Sequence, residues 1–188
     1  MLINPKDNSQ QNSNLILQTT TPRPIAWIVT QNSSGVINIA PYSLFTPLSF
    51  DPPTVIVSFR GKDDGSIKDT LNNIRKNKKC TICMVQEQDR EIMHQTSLEI
   101  PSNESEAEKF NIETTSMIDE YPPIISSSPI AYFCNFDQEI KLKEENTTPL
   151  ILEIQKIFVD DIIIKDRESL RIEFNSIGHI TKDRYSHK

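Results

Sequence analysis

The residue types able to do chemistry in this chain are three cysteines, three histidines, and a few cations set beside hydroxyls and prolines. Cys80 and Cys83 form a CxxC, but they sit in Cys80-Thr81-Ile82-Cys83-Met84-Val85, which reads as a strand. An odd offset on a strand sends the two thiols to opposite faces, so they are expected as small buried hydrophobes rather than as a metal or redox pair. With Cys134 the count is odd and no second CxxC exists, so reduced thiols and no disulfide framework are expected. His94, His179 and His187 match no ligand spacing and are expected on the surface or in loops, with no metal site. The cations are more telling. Pro22 and Pro24 flank Arg23 and present it from a stiff, extended approach. Lys68-Asp69-Thr70 places a cation and a hydroxyl in the first turn of a helix, where an anion is favoured.

The elements that must position these groups can be read from apolar periodicity. Ile25 to Thr30 and Val36 to Ala40 bracket the turn residues Gln31 to Gly35 and predict a β-hairpin. The stretch from Pro41 to Pro53 alternates aromatics and hydroxyls, and its prolines are expected to break ladder pairing, leaving an extended wall. Thr54 to Phe59 predicts a compact strand ending in a polar turn with two glycines. Ile67, Leu71 and Ile74 define an amphipathic helix over 67–78, with Ser66 as the expected N-cap and Arg75, Lys76, Lys78 and Lys79 near its C-terminal end. A strand over 80–85 and a short helix over 87–97, with Ile92 and Met93 inward, come next. An acidic, proline-bearing excursion over 99–125 has a helical turn near Glu104 to Phe110. Ile130 to Leu142 and Leu150 to Val159 predict two long strands joined by a turn from Lys143 to Pro149, and Ile162 to Lys165 adds further β-branched sequence. The tail from Ile177 to Tyr185 shows no strong period.

Composition bounds the rest. A chain of 188 residues can bury roughly 70% of its unfolded surface in a single core. The expectation is one domain over 1–188, with an N-terminal extension over 1–20. A net charge of -6 argues against nucleic acid as a partner, so any phosphate must be held locally. The N-terminal stretch lacks a signal-peptide core and no run approaches a membrane span, so a cytoplasmic protein with no membrane attachment is expected. Four glycines and no GxGxxG or Walker loop exclude the nucleotide-binding α/β folds, and the fold class is mainly β with a few helices, a closed or partly open barrel.

Four motifs in order resemble the flavin reductase-like, FMN-binding split-barrel family: Arg23-Pro24-Ile25-Ala26-Trp27-Ile28; Asn38-Ile39-Ala40-Pro41-Tyr42-Ser43-Leu44-Phe45; Asp51-Pro52-Pro53 leading into Ser58-Phe59; and Lys68-Asp69-Thr70-Leu71-Asn72-Asn73-Ile74. The resemblance is close over 21–85 and looser to Tyr185. It implies a split β-barrel, FMN as cofactor with FAD as the alternative, and NAD(P)H as co-substrate of a flavin reductase. A non-catalytic, flavoredoxin-like electron-transfer protein is the alternative activity. It further implies a homodimer and an oxygenase or electron-acceptor partner. The cofactor-binding residues it implies are Arg23, Ala40, Pro41, Tyr42, Ser43, Leu44, Thr46, Ser58, Phe59, Arg60, Lys68 and Thr70. Arg23, Ser58, Arg60, Lys68 and Thr70 suit the phosphate, while the wall from Ala40 to Thr46 suits the flat ring, with Tyr42 or Phe45 limiting solvent. No catalytic side chain is implied, because a flavin performs the redox step itself. Two departures stand out: Phe133 precedes Cys134 where relatives often carry an acid, and the tail is poorer in glycine. The excursion is expected as a mobile surface loop, with a cover for the flavin or a partner contact as the other readings.

Overall fold

Alternation of buried and solvent-facing residues builds a curled antiparallel sheet. The computed structural model describes residues 2–4, 7–62, 64–143, 147–181 and 184–186. An N-terminal helix, α1 (Ser9–Thr19), leads into β1 (Ala26–Gln31), β2 (Ile37–Tyr42), β3 (Phe45–Phe50) and β4 (Pro53–Arg60), followed by α2 (Asp69–Asn77) and β5 (Lys79–Met84). A single 3-10 turn precedes α3 (Arg90–Gln95), after which come α4 (Glu106–Lys109), β6 (Thr114–Thr115) and β7 (Ile124–Ile125). The long strands β8 (Ile130–Glu139) and β9 (Thr147–Val159) are followed by the short strands β10 (Ile164–Asp166), β11 (Arg171–Ile172), β12 (Gly178–Thr181) and β13 (Arg184–Ser186). The main sheet has the order β2-β1-β5-β8-β9-β4-β3, all antiparallel. Its curl brings the ring of Tyr42 on β2 within 4.6 Å of Phe59 on β4, two strands far apart in the sheet order. This is the split barrel expected from the sequence.

The sheet separates two cores. Ala26, Ile28, Ile82, Cys80 and Cys134 face the barrel interior with Phe59, Leu150 and Leu152, and α2 closes it with Leu71 and Ile74. Trp27, Val29, Ile39 and Cys83 face outward, under a second layer made by Met93, Ile112, Tyr121, Ile124 and Ile125. The two cysteines of the CxxC thus lie in different cores, as their odd offset requires, and all three thiols are free and buried. Among the described residues no group of histidines, cysteines and acids could hold a metal, and no helix is long and apolar enough to cross a membrane.

Several expectations need correction. The proline-bearing stretch does not lose its ladder: β3 pairs with β4 at the sheet edge, and the register shift between Pro47 and Ser49 accommodates the missing N–H. Lys68 rather than Ser66 precedes the first turn of α2, and Ile67 is exposed, because the helix begins two residues later than its apolar spacing suggests. The N-terminal extension folds as α1, and the tail pairs as the hairpin β12–β13. The excursion is a packed layer, not a mobile loop. Ile112, Tyr121, Ile124 and Ile125 are buried, Thr81 Oγ1 donates to the Pro122 carbonyl at 2.6 Å, and Glu106 accepts from the Ile39 N–H at 2.9 Å. Its polar composition misled because isolated apolar residues in irregular backbone carry no period. Residues 144–146 of the expected turn and His187 lie outside the described residues.

Candidate functional site

Strand β2 carries one wall of the site. Because β2 is an edge strand, its outward N–H at Ile39 needs a partner, which Glu106 supplies, and Pro41 has none to offer. Asn38, Ala40 and Tyr42 turn toward α2, where Asn38 Nδ2 donates to Thr70 Oγ1 at 2.8 Å and the Tyr42 phenol meets the same hydroxyl. Thr70 is thereby fixed in the first turn of α2, next to Lys68. The N-cap residue Lys68 makes no side-chain cap bond, so the first N–H groups of the helix are directed toward the space beyond its start.

A cavity of about 90 Å³ opens at this junction, lined by Asn38, Ala40, Pro41 and Tyr42 from β2, by Lys62, Lys68, Asp69 and Thr70 around the start of α2, and by Thr96 to Ile100 with Glu106. Its cations are engaged: Lys68 Nζ donates to Glu99 at 2.7 Å, and Lys62 Nζ to Asp69 at 3.1 Å. Burial pushes the Glu106 carboxyl up, opposed by its bond from Ile39, and burial pushes the Tyr42 phenol well up. The floor is Thr96, which accepts from the buried Trp27 indole at 2.9 Å and donates to the Met93 carbonyl at 2.7 Å.

A second cavity of about 140 Å³ adjoins the first, sharing Pro41 and Ser97, with Ile25, Ser43, Met93, His94, His179 and Tyr185 completing its wall. Here Arg23 is anchored. Its backbone exchanges two hydrogen bonds with His179, and its buried guanidinium donates to the carbonyls of Leu17, Thr20 and Ile180. It also donates to Ser43 Oγ at 3.4 Å and to His179 Nδ1 at 3.1 Å. A guanidinium has donors only, so Nδ1 is an acceptor and the His179 proton sits on Nε2. Desolvation lowers the Arg23 pKa. His94 Nδ1 and Tyr185 Oη lie 2.9 Å apart, and Tyr185 stacks on its cross-strand partner His179 at 5.4 Å.

Of the twelve residues expected to hold cofactor, Ala40, Pro41, Tyr42, Lys68 and Thr70 line the first cavity, while Ser43 lines the second and Arg23 lies bonded behind it. Phe59 is buried beneath Tyr42. Leu44, Thr46, Ser58 and Arg60 line neither cavity: Leu44 accepts from the Ser58 N–H at 2.9 Å, and Thr46 and Arg60 are exposed on β3 and at the end of β4. Phe45 faces the barrel core and does not screen the site. His94 and His179, expected in loops or on the surface, are half-buried on α3 and β12 because the tail folds back over Arg23. Sequence spacing held no signal for them, nor for Glu99 and Glu106.

A family model described as "Flavin reductase like domain" matches residues 18–168. An uncharacterized protein of Aquifex aeolicus is 29% identical over 169 residues, 88% of this chain and 84% of the relative. Among solved structures, the 2-nitrobenzoate 2-nitroreductase of Pseudomonas fluorescens superposes with a TM-score of 0.87 at 28% identity, covering 100% of this chain and 91% of that one. Component B of nitrilotriacetate monooxygenase from Bacillus cereus gives a TM-score of 0.88 at 23% identity, with 100% and 95% covered, a likeness of fold.

Proposed function

This chain belongs to the flavin reductase like domain family, and we propose that it binds FMN across β2 and the start of α2 and catalyses NAD(P)H-dependent reduction of that flavin. The observation that carries the reading is the convergence of Ala40, Pro41, Tyr42, Lys68 and Thr70, far apart in sequence, on one cavity. The residues fit the group. Lys68, Thr70 and the first N–H groups of α2 would hold a phosphate, and the backbone around Ala40 to Ser43 would read the ring edge. A cavity of about 90 Å³ admits the phosphate end but not a three-ring system, so occupancy requires Glu99 to leave Lys68 and the segment 97–100 to give way.

The flavin, when bound, supplies the hydride chemistry. The chain's own part is orientation and exclusion of water. Tyr42, held by Thr70 and backed by Phe59, keeps the wall of the site rigid, and its phenol stays protonated across the physiological range because burial disfavours the phenolate. Placement in a water-poor slot then provides most of the acceleration. No acid or base at the reacting atoms is invoked.

We also propose a homodimer serving an oxygenase or another electron acceptor. Exposed Leu48, Phe50, Ile157 and Ile162 offer apolar surface for association, and the Bacillus cereus relative is itself component B of a nitrilotriacetate monooxygenase. The test is an absorbance spectrum of the chain soaked with FMN, followed by NADH and then NADPH without air, with sedimentation to weigh the assembly. Bound flavin bands that bleach with a nicotinamide support the reductase. Bands that persist convert the reading to electron transfer, and absence of binding removes the cofactor.

A further inference from the structure

Among the described residues, Asp89 alone buries a side-chain oxygen that no hydrogen bond satisfies. The residue is 8% exposed, its Oδ2 has no partner, and although it directly precedes α3 its side chain makes no cap bond to that helix. A carboxylate so placed keeps a desolvation cost that a cap bond or an ion pair would ordinarily offset. Burial pushes its pKa up, opposed by a hydrogen bond from Ser127. Asp89 stands in the wall of a third cavity, of about 320 Å³, which shares no residue with the first two. That volume lies at the lower edge of small-molecule sites, which begin near roughly 300 Å³. Trp27, Ile92 and Ile112 make its apolar side, and Glu113 and Ser127 stand on an exposed polar rim. The rim is held by the β6–β7 pair, which the Ser126 N–H extends by donating to the Glu113 carbonyl at 2.9 Å.

We propose that this cavity binds a small primary amine as its ammonium ion, the N–H groups on Asp89 and Glu113 and the alkyl body against Trp27, Ile92 and Ile112. The wall fixes the sign of the charge: it carries two carboxyl groups and no lysine, arginine or histidine, in a chain of net charge -6. The apolar side suits hydrocarbon, and among the described residues no group of three histidines, cysteines and acids stands together to hold a metal ion instead. The head group is set by Oδ2, which is closed to bulk solvent and so takes a compact donor. An ammonium is such a point charge with three N–H groups, a guanidinium is a wide plane, and a quaternary ammonium has no N–H to give. The inference does not rest on the flavin reading.

The test is titration of the full chain, without flavin, with n-butylammonium chloride at fixed ionic strength, followed by calorimetry and by the fluorescence of Trp27, the chain's single tryptophan. The expected result is saturable heat with a change in Trp27 emission, and neither with tetramethylammonium chloride. Asp89→Asn, which keeps the shape and an acceptor for Ser127, is expected to weaken n-butylammonium about tenfold or more through loss of a charge-assisted bond. Glu113→Gln, at the exposed rim, is expected to weaken it about 1.4- to 5-fold, the range of an exposed ion pair. Absence of saturable binding leaves the carboxyl to water and overturns the proposal. So do equal binding of tetramethylammonium, heat without a Trp27 signal, and unchanged affinity in folded Asp89→Asn. Should Asp89→Asn fail to fold, Glu113→Gln decides in its place, and unchanged affinity there overturns the proposal in the same way.

Discussion

If Lys68 receives the flavin phosphate, Glu99 is its competitor, and removing the competitor has a calculable effect. The pair is short, 2.7 Å, but its side chains are 29% and 53% exposed, so its worth is that of a surface ion pair, about 0.2–1 kcal/mol. Glu99→Gln returns that amount to the ligand, since the phosphate no longer has to break the pair. FMN should therefore bind about 1.4- to 5-fold tighter, given that about 1.4 kcal/mol is tenfold. Lys68→Met should act in the opposite direction and weaken binding about tenfold or more, by loss of a charge-assisted bond. Quenching of FMN fluorescence on titration with protein measures both, at low salt and near physiological ionic strength, where a screening length of about 8 Å should narrow the Glu99→Gln gain. Glu108→Gln makes the same charge change outside the cavity lining and is the control for the general field. Unchanged or weaker FMN binding by Glu99→Gln at low salt, or a Glu108→Gln effect of equal size, would refute the placement of the phosphate at Lys68.

Thr96→Val deletes the acceptor of the wholly buried Trp27 indole N–H and should destabilise the fold by about 1–3 kcal/mol, read as a lower urea midpoint at unchanged slope. Arg75 forms a two-bond pair with Glu139 that holds its carboxyl below the usual range. A depressed carboxyl contributes stability above its unfolded pKa and loses it as pH falls through the folded value, so the deficit of Glu139→Gln, about 0.5–1 kcal/mol at neutral pH, should vanish in acid. Glu106 has the opposite sign. Burial raises its folded pKa, so its contribution is complete below the unfolded value near 4.5 and fades as pH rises through the raised one. Glu106→Gln, which keeps an acceptor for Ile39, should then gain on the parent in urea titrations as pH rises and match it in acid. Burial pushes the Cys83 thiol up to about 12, and Cys80 and Cys134 share its inaccessibility, so a thiol reagent should find no reactive cysteine until denaturant is added.

Legibility varied with how local the determining physics was. The hairpin β1–β2, the strands β4, β5, β8 and β9, and the helix α2 were readable because period, turn residues and helix-end charges act within a few residues. The fate of Cys80 and Cys83 was readable from pleat geometry alone. The layer over residues 99–125 was not, since Ile112, Tyr121 and Ile125 are ordered by what they pack on rather than by their neighbours in sequence. Leu44 and Ser58 belong to the motifs that mark the family and Thr46 and Arg60 directly follow them, yet all four lie off both cavities, because a motif fixes a residue's place in the chain and not the face its side chain takes.

The sequence by itself determined the mainly β architecture, the absence of a disulfide framework, the family, and the association of Lys68 and Thr70 with the start of a helix. Each follows from residue type, period or motif order over short spans. Only the tertiary structure decided that Glu99 pairs with Lys68, that Glu106 completes the edge of β2, and that Arg23 is spent on Ser43, His179 and three carbonyls instead of standing open. It also made the second cavity, from α3 and a tail hairpin some ninety residues apart, as the pairing of His94 with Tyr185 records. Such contacts arise where the curl of the sheet and the return of the chain bring distant segments together, and no local rule of spacing encodes that closure.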